Sequence, residues 1–186
     1  MNKTVLAFCF SLLGAPAFGQ VPFPKFSEPP KTYASEAKDW GVSATSTPKL
    51  PPYHAQTPTS IPGARVIRTA ELTGLLTANS KVVVIDVLDS KERSSIPGAH
   101  WMHGGGDGKL YAAEKARFSA AVDKLVEGDK SRPLVFLCFN AECWLSYNAA
   151  LHAVEAGYKD VIWYRGGTEA WRAARQKTEA LQRISW

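Results

Sequence analysis

Three short runs of apolar, mostly β-branched residues constrain this chain more than any other feature. They are Val82-Val83-Val84-Ile85, Pro133 to Cys138, and Val161-Ile162-Trp163-Tyr164. Each run is unbroken rather than alternating, as expected of a strand covered on both faces of a parallel sheet. Helix signals lie between them. Thr69 stands where an N-cap would begin a helix. Glu114 to Val126 reads as a second helix, and Cys143 to Ala156 as a third, closed by Gly157 in the usual place for a helix stop. A fourth starts near Thr168 and carries Trp171. Short strands are expected at Arg65–Ile67 and at His100–Met102. Strands separated by helices predict an α/β domain with a mainly parallel central sheet.

The N-terminal part has a different texture. Met1 to Gly19 places one basic residue, Lys3, before an apolar run from Val5 to Leu13, and small residues follow. This is the pattern of a cleaved secretory signal peptide, over residues 1–19, with a run too short to span a bilayer. Its removal lowers the formal charge of +5 by one and takes away Cys9, one of three cysteines. The product is expected to be periplasmic, with no membrane contact once the signal is gone, and its two thiols to meet an oxidising compartment. Residues 20–62 hold nine of the twelve prolines. Proline removes amide donors and fixes φ, so no long helix or central strand forms there. Two readings stay open for this stretch: a plain linker, or an extended tail draped over the domain through Phe23, Phe26, Trp40 and Tyr53. The remaining boundaries are a domain over 63–178 and a C-terminal tail over 179–186. No block of like charge points to nucleic acid.

In parallel sheets, ligands bind beyond the carboxyl ends of the strands. Cys138 ends a buried strand, and Phe139-Asn140-Ala141-Glu142 must turn the chain into the third helix by Cys143 and Trp144. Inward-pointing amides and the helix start favour an anion at the centre of such a turn, here the Cys138 thiolate. The same position also suits a buried, inert cysteine.

Several short motifs occur in one order: Ile85-Asp86-Val87, Ile96-Pro97-Gly98-Ala99, the strand-end cysteine with its six-residue loop, Ala156-Gly157-Tyr158-Lys159-Asp160-Val161, and Arg165-Gly166-Gly167 with Trp171. Together they span about Val66 to Arg175, and the segment resembles a rhodanese domain. The resemblance implies a three-layer α/β fold and a strand-end cysteine, Cys138, that carries sulfane sulfur as a persulfide. The segment from Cys143-Trp144 to Ala150 is similar to an exported rhodanese-like group named for a Cys-x-x-Cys-Trp motif. That likeness implies an association with pyrroloquinoline-quinone-dependent alcohol catabolism, and a periplasmic quinoprotein dehydrogenase system as partner. Here four residues, not two, separate the cysteines. Leu88 and Cys143 stand where many family members have Arg, and Glu142 is the loop's one charge. A carboxylate beside a thiolate disfavours it, so these departures argue against efficient thiosulfate:cyanide turnover.

A disulfide needs Cα atoms roughly 4.4–6.8 Å apart, and a curled six-residue loop meets that condition. Cys143 is thus a candidate resolving or disulfide partner for Cys138, or a residue that merely packs at the helix start. Asp86 and His103 are candidate pocket residues, His103 as a group that polarises a thiol. His100 and His103 face different ways, so no metal site is expected, and no cofactor is implied. Gly104 to Gly108 reads as a surface loop near the mouth of the site. His152 reads as structural, and Trp144, Tyr147 and Trp163 as core or pocket-wall residues; Phe139, Asn140, Ala141, Glu142 and Trp144 are the candidate active-site loop. Two functions follow. The first is a sulfurtransferase or thiol-redox protein that takes sulfur from a small donor or passes it to a thiol acceptor. The second is a non-catalytic accessory module of the quinoprotein system.

Overall fold

The computed structural model describes residues 35–79 and 81–186. The signal sequence, Phe23 and Phe26 lie outside the described residues. Among the described residues, eleven elements follow in order: β1 (Arg65–Ile67), α1 (Thr69–Ala78), β2 (Val83–Asp86), β3 (Arg93–Ser95), β4 (His100–Trp101), α2 (Ala112–Leu125), β5 (Leu134–Leu137), α3 (Trp144–Glu155), β6 (Val161–Tyr164), α4 (Gly167–Ala173) and β7 (Glu179–Leu181). Five strands form one parallel sheet in the order β1-β6-β5-β2-β4, and β3 pairs with β7 in a separate antiparallel ribbon.

The unbroken apolar runs are the three central strands, β2, β5 and β6, and every residue in them is buried. Alternate side chains feed two cores. Val83, Ile85, Leu134, Phe136, Val161 and Trp163 pack with Phe118 and Val122 of α2 and Tyr147 and Leu151 of α3. Val84, Val135, Leu137, Ile162 and Tyr164 pack with Leu72 of α1 and Ala170 and Trp171 of α4. A strand period of two thus produces three layers from a continuous apolar sequence. Cys138, one residue past β5, continues the alternation onto the α2–α3 side.

Helix starts differ from the sequence expectation in instructive ways. Thr69 is the first residue of α1 and Arg68 its N-cap; the Thr69 hydroxyl instead donates to Glu36 at 2.7 Å. Glu36 comes from the proline-rich segment and takes the place of a local cap. For α2, Glu114 is the third helical residue rather than the first, and its carboxylate accepts the Tyr111 amide at 2.8 Å. An acidic residue at that position is an N-terminal signal set two residues inside the true boundary. Cys143 caps α3 instead of starting it. Gly157, with φ +86°, follows the C-cap Ala156 as expected.

Of the two readings open for the proline-rich stretch, its described part follows the draped one, and the segment expected as a C-terminal tail is integrated as well. Residues 38–53 contain no helix or strand, yet they bind α3: the Thr45 and Lys49 amides donate to the Tyr147 hydroxyl and the Asn148 side chain at 2.9 and 2.8 Å. At the other end, β7 pairs with β3, and Ile184 donates its amide to the Trp101 carbonyl, covering the β4 edge. No described helix is long and apolar enough to cross a membrane.

Candidate functional site

Cys138 leaves β5 at the sheet's carboxyl edge, and its sulfur is joined to that of Cys143 in a disulfide with Cα atoms 6.2 Å apart. Both residues are buried, at 1% and 6% exposure, whereas Phe139 at the loop tip is 39% exposed. Asn140 folds the loop. Its carbonyl accepts the Cys143 amide at 3.1 Å, and its side-chain oxygen accepts the Glu142 amide at 3.0 Å. This is an Asx turn, the usual work of Asn in a tight reversal.

The expected cradle of free amides around the sulfur is therefore much reduced. The Glu142 and Cys143 amides serve the turn, and the Trp144 amide donates to the Tyr53 carbonyl at 2.9 Å. A second chain segment lies against the loop. Ala55 donates its amide to Glu142 at 2.9 Å, the Trp144 indole donates to Gln56 at 3.1 Å, and the Thr57 hydroxyl donates to Ala141 at 2.5 Å. His54 sits opposite Cys143 in an antiparallel bridge. Residues 53–57 thus form a strap over the cysteine loop.

The strap is fastened by Arg165, buried at the end of β6. Its guanidinium donates to both the hydroxyl and the carbonyl of Thr57, at 3.0 and 3.1 Å, and to the Glu36 carbonyl at 2.8 Å, and it stacks on Trp40. Burial lowers the Arg165 pKa, with Asp39 acting in the opposite direction. From the other side, the start of α4 holds the loop: Thr168 and Glu169 donate their amides to Cys138 and Phe139 at 3.1 and 2.8 Å. This approach requires Gly167. Its φ is +60°, and a Cβ there would lie 2.5 Å from the Phe139 carbonyl carbon.

Asp86 ends β2 beside the loop, but it is fully buried and faces Arg93, not an open cavity. Arg93 pairs with it at 2.6 Å, Ser95 donates at 2.5 Å and the Leu88 amide at 3.0 Å. Burial pushes the Asp86 carboxyl upward against the pull of Arg93 and Ser95. The Arg93 guanidinium also reaches the Cys138 carbonyl at 3.1 Å and the Thr168 hydroxyl at 3.0 Å. The site therefore does contain a cation, committed to backbone and carboxylate and supplied from β3 rather than from the loop.

His103 is placed elsewhere. It follows β4, which β2 separates from β5, and it pairs with Asp89 at 2.5 Å while its carbonyl accepts the Trp186 indole. Gly104 to Gly108 is not a free surface loop: Gly105 and Gly106 are buried, and a Cβ on Gly106 would collide with the Leu145 carbonyl of α3. Trp144, Tyr147 and Trp163 form an edge-to-face series with centroids 4.9 and 5.1 Å apart, running from the start of α3 into the core. Among the described residues, no group of three or more His, Cys, Asp or Glu side chains converges as a metal centre would require. Cavities of about 240 and 500 Å³ lie between α2 and α3 and beside the β3–β7 ribbon; neither is lined by Cys138 or Cys143.

The structure thus brings together Cys138, the loop residues Phe139, Asn140, Ala141 and Glu142, Cys143 and Trp144, with Asp86 behind them. Sequence reasoning missed His54, Thr57, Arg93, Arg165 and Thr168 as parts of the site. Only Arg165 had a local signal, through the Arg-Gly-Gly motif.

A doubly covered parallel sheet with a cysteine at the carboxyl end of its central strand matches a known family. The family model for the rhodanese-like domain fits residues 68–174, and the chain belongs to that family. Among solved structures it is similar to a full-length protein from Lactobacillus plantarum (20% identity, 62% of this chain and 88% of that one, TM-score 0.48). It is also similar to a thiosulfate sulfurtransferase from Pseudomonas aeruginosa (23% identity, TM-score 0.48), over 64% of this chain and only 21% of that one. A third is a polysulfide-sulfur transferase homodimer from Wolinella succinogenes (17% identity, 63% of this chain and 79% of that one, TM-score 0.44). No curated protein matches the sequence.

Proposed function

We propose that this is an exported sulfur-handling thiol protein in which Cys138 carries sulfane sulfur and Cys143 resolves it. The observation that carries this reading is the Cys138–Cys143 disulfide itself, joining the family's sulfur-carrying position to the cap of the following helix. In the reduced state, the Cys138 thiolate attacks the outer sulfur of a small donor such as thiosulfate. The donor S–S bond breaks, sulfite leaves with the electron pair, and a persulfide forms on Cys138. The Cys143 thiolate then attacks the Cys138 sulfur. The protein disulfide forms, and the outer sulfur leaves as hydrosulfide. An external dithiol reopens the disulfide by exchange. The periplasm is the compartment proposed, on the strength of the N-terminal signal pattern.

A second reading rests on the Cys143-Trp144 resemblance and on the burial of both cysteines under the strap. In it, the domain is an accessory of a quinoprotein alcohol-oxidation system, with the disulfide as a fastener.

One experiment separates the two. The protein is reduced, freed of reductant and mixed with thiosulfate or polysulfide, then analysed by intact and peptide mass spectrometry. In Cys143→Ser protein, one sulfur atom should add to Cys138. In the unaltered protein, hydrosulfide should appear in step with the disulfide. No adduct in the variant and no hydrosulfide from the parent would remove the carrier function in favour of the accessory.

A further inference from the structure

Residues 53–57 lie outside the segment matched by the rhodanese-like family, 68–174, and they bring a histidine to the cysteine loop. Ala55 donates to the Glu142 carbonyl and Trp144 donates to the Tyr53 carbonyl, both at 2.9 Å. These two bonds flank His54 and Cys143, which makes them a directly opposed, non-hydrogen-bonded antiparallel pair. Side chains of such a pair leave the ribbon on the same face, with Cβ atoms about 4.5–5.5 Å apart. Tyr53 and Ala55 pack on the core, which Cys143 also enters at 6% exposure, and His54 is exposed. The imidazole therefore lies at the solvent side of Cys143.

We infer that His54 is the proton-transfer partner of Cys143, so that the strap completes the site. The inference rests on the resolving role proposed for Cys143. Imidazole is the side chain that exchanges protons near neutral pH, and a thiol activated by an adjacent base is the general pattern of cysteine nucleophiles. In the reduced protein, His54 takes the proton from the Cys143 sulfur. The resulting thiolate attacks the Cys138 sulfur of the persulfide. The protein S–S bond forms as the bond to the outer sulfur breaks, and the outer sulfur departs with the electron pair. The outer sulfur is expelled in line, away from Cys143, and takes its proton from solvent to give hydrosulfide, while His54 returns its own proton to solvent.

The position of Cys143 supports the same chemistry. It is the N-cap of the twelve-residue α3, and its side chain makes no capping bond in the disulfide form. Once reduced, its sulfur stands at the N-terminus of α3, whose partial positive charge favours a thiolate. The other charged groups near this end of the loop are Glu142 within it, Glu169 at the start of α4, Arg93 under the Cys138 carbonyl, and Arg165 behind Thr57. Guanidinium groups accept no proton, and carboxylates are weaker bases than imidazole, which leaves His54 as the group placed to take the Cys143 proton.

The test uses reduced Cys138→Ser protein, in which Cys143 is the thiol of the site, and follows its alkylation by iodoacetamide at neutral pH. His54→Gln should slow the reaction roughly ten-fold, the equivalent of one pKa unit in the thiol. Thiolate absorption in the ultraviolet should fall in parallel. Added imidazole should restore the rate in His54→Ala protein, which a purely structural role would not allow. Amide protection at Ala55 and Trp144 reports whether the strap stays seated. An unchanged rate in His54→Gln with the strap seated, or no recovery with imidazole in His54→Ala, would overturn the inference. The persulfide on Cys138 of Cys143→Ser protein does not involve His54. Its absence would therefore sink the carrier reading without touching the alkylation result.

Discussion

Asp86 and Arg93 are the residues on which the floor of the site depends. Their side chains are 0% and 4% exposed, so each charge has lost its hydration and is compensated chiefly by the other. Removing one partner of such a pair costs about 3–5 kcal/mol, because the survivor is left buried and uncompensated. We predict a loss of that order for Arg93→Met in denaturant unfolding. The double variant Asp86→Asn with Arg93→Met should recover part of it, and equal losses in both would show that the pair is not coupled. Asp86 was legible in the sequence because it ends an apolar strand in a motif. Arg93 was not: it reaches the Cys138 carbonyl from 45 positions away, and nothing local to it distinguishes it from a surface arginine. The same holds for Thr57, whose hydroxyl meets the Ala141 carbonyl across 84 positions.

At the scale of elements, α3 is where the strap, the glycine loop and the site meet. Its His152 side chain is buried, with Nε2 against the Asp107 carbonyl at 2.8 Å and Nδ1 without a hydrogen-bond partner. Burial holds this imidazole below the ordinary value of 6.5, and a second proton would find no acceptor. The sign follows from linkage. Below 6.5 the unfolded chain binds the proton more readily than the folded one, so the contribution is fully present above that value. It is lost as pH falls toward the depressed folded value. His100, also held down by burial, adds a slope of the same sign. We predict a lower melting temperature at about pH 5 than at about pH 7, with a smaller drop in His152→Gln. Equal drops in the two proteins would assign the dependence elsewhere. The helix and its stop at Gly157 were readable from periodicity and the glycine signal. The burial of Gly105 and Gly106 was not, because a run of glycines carries no sign of what packs against it.

In the whole molecule, the segment before β1 acts as a part of the domain. Arg165 ties it down through four hydrogen bonds to Ser35, Glu36 and Thr57, and bonds to a charged donor contribute roughly 1.5–3 kcal/mol each. Arg165→Met should release the strap while the sheet stays folded. Trypsin should then cut at Lys38 and Lys49, and an external dithiol should reduce the disulfide faster than in the parent. An unchanged reduction rate would mean that the strap does not guard the sulfurs. The sequence alone was enough for the α/β class, the positions of the main strands along the chain and the cysteine at the end of β5, because these follow from local periodicity and from where an apolar run stops. Only the tertiary structure decided what surrounds that cysteine. His54, Thr57, Arg93 and Arg165 reach the loop from elements far apart in the chain, through backbone contacts and buried polar bonds that leave no periodic trace. The two cysteines of one loop were visible as a pair, and their enclosure by an N-terminal strap belongs to the fold.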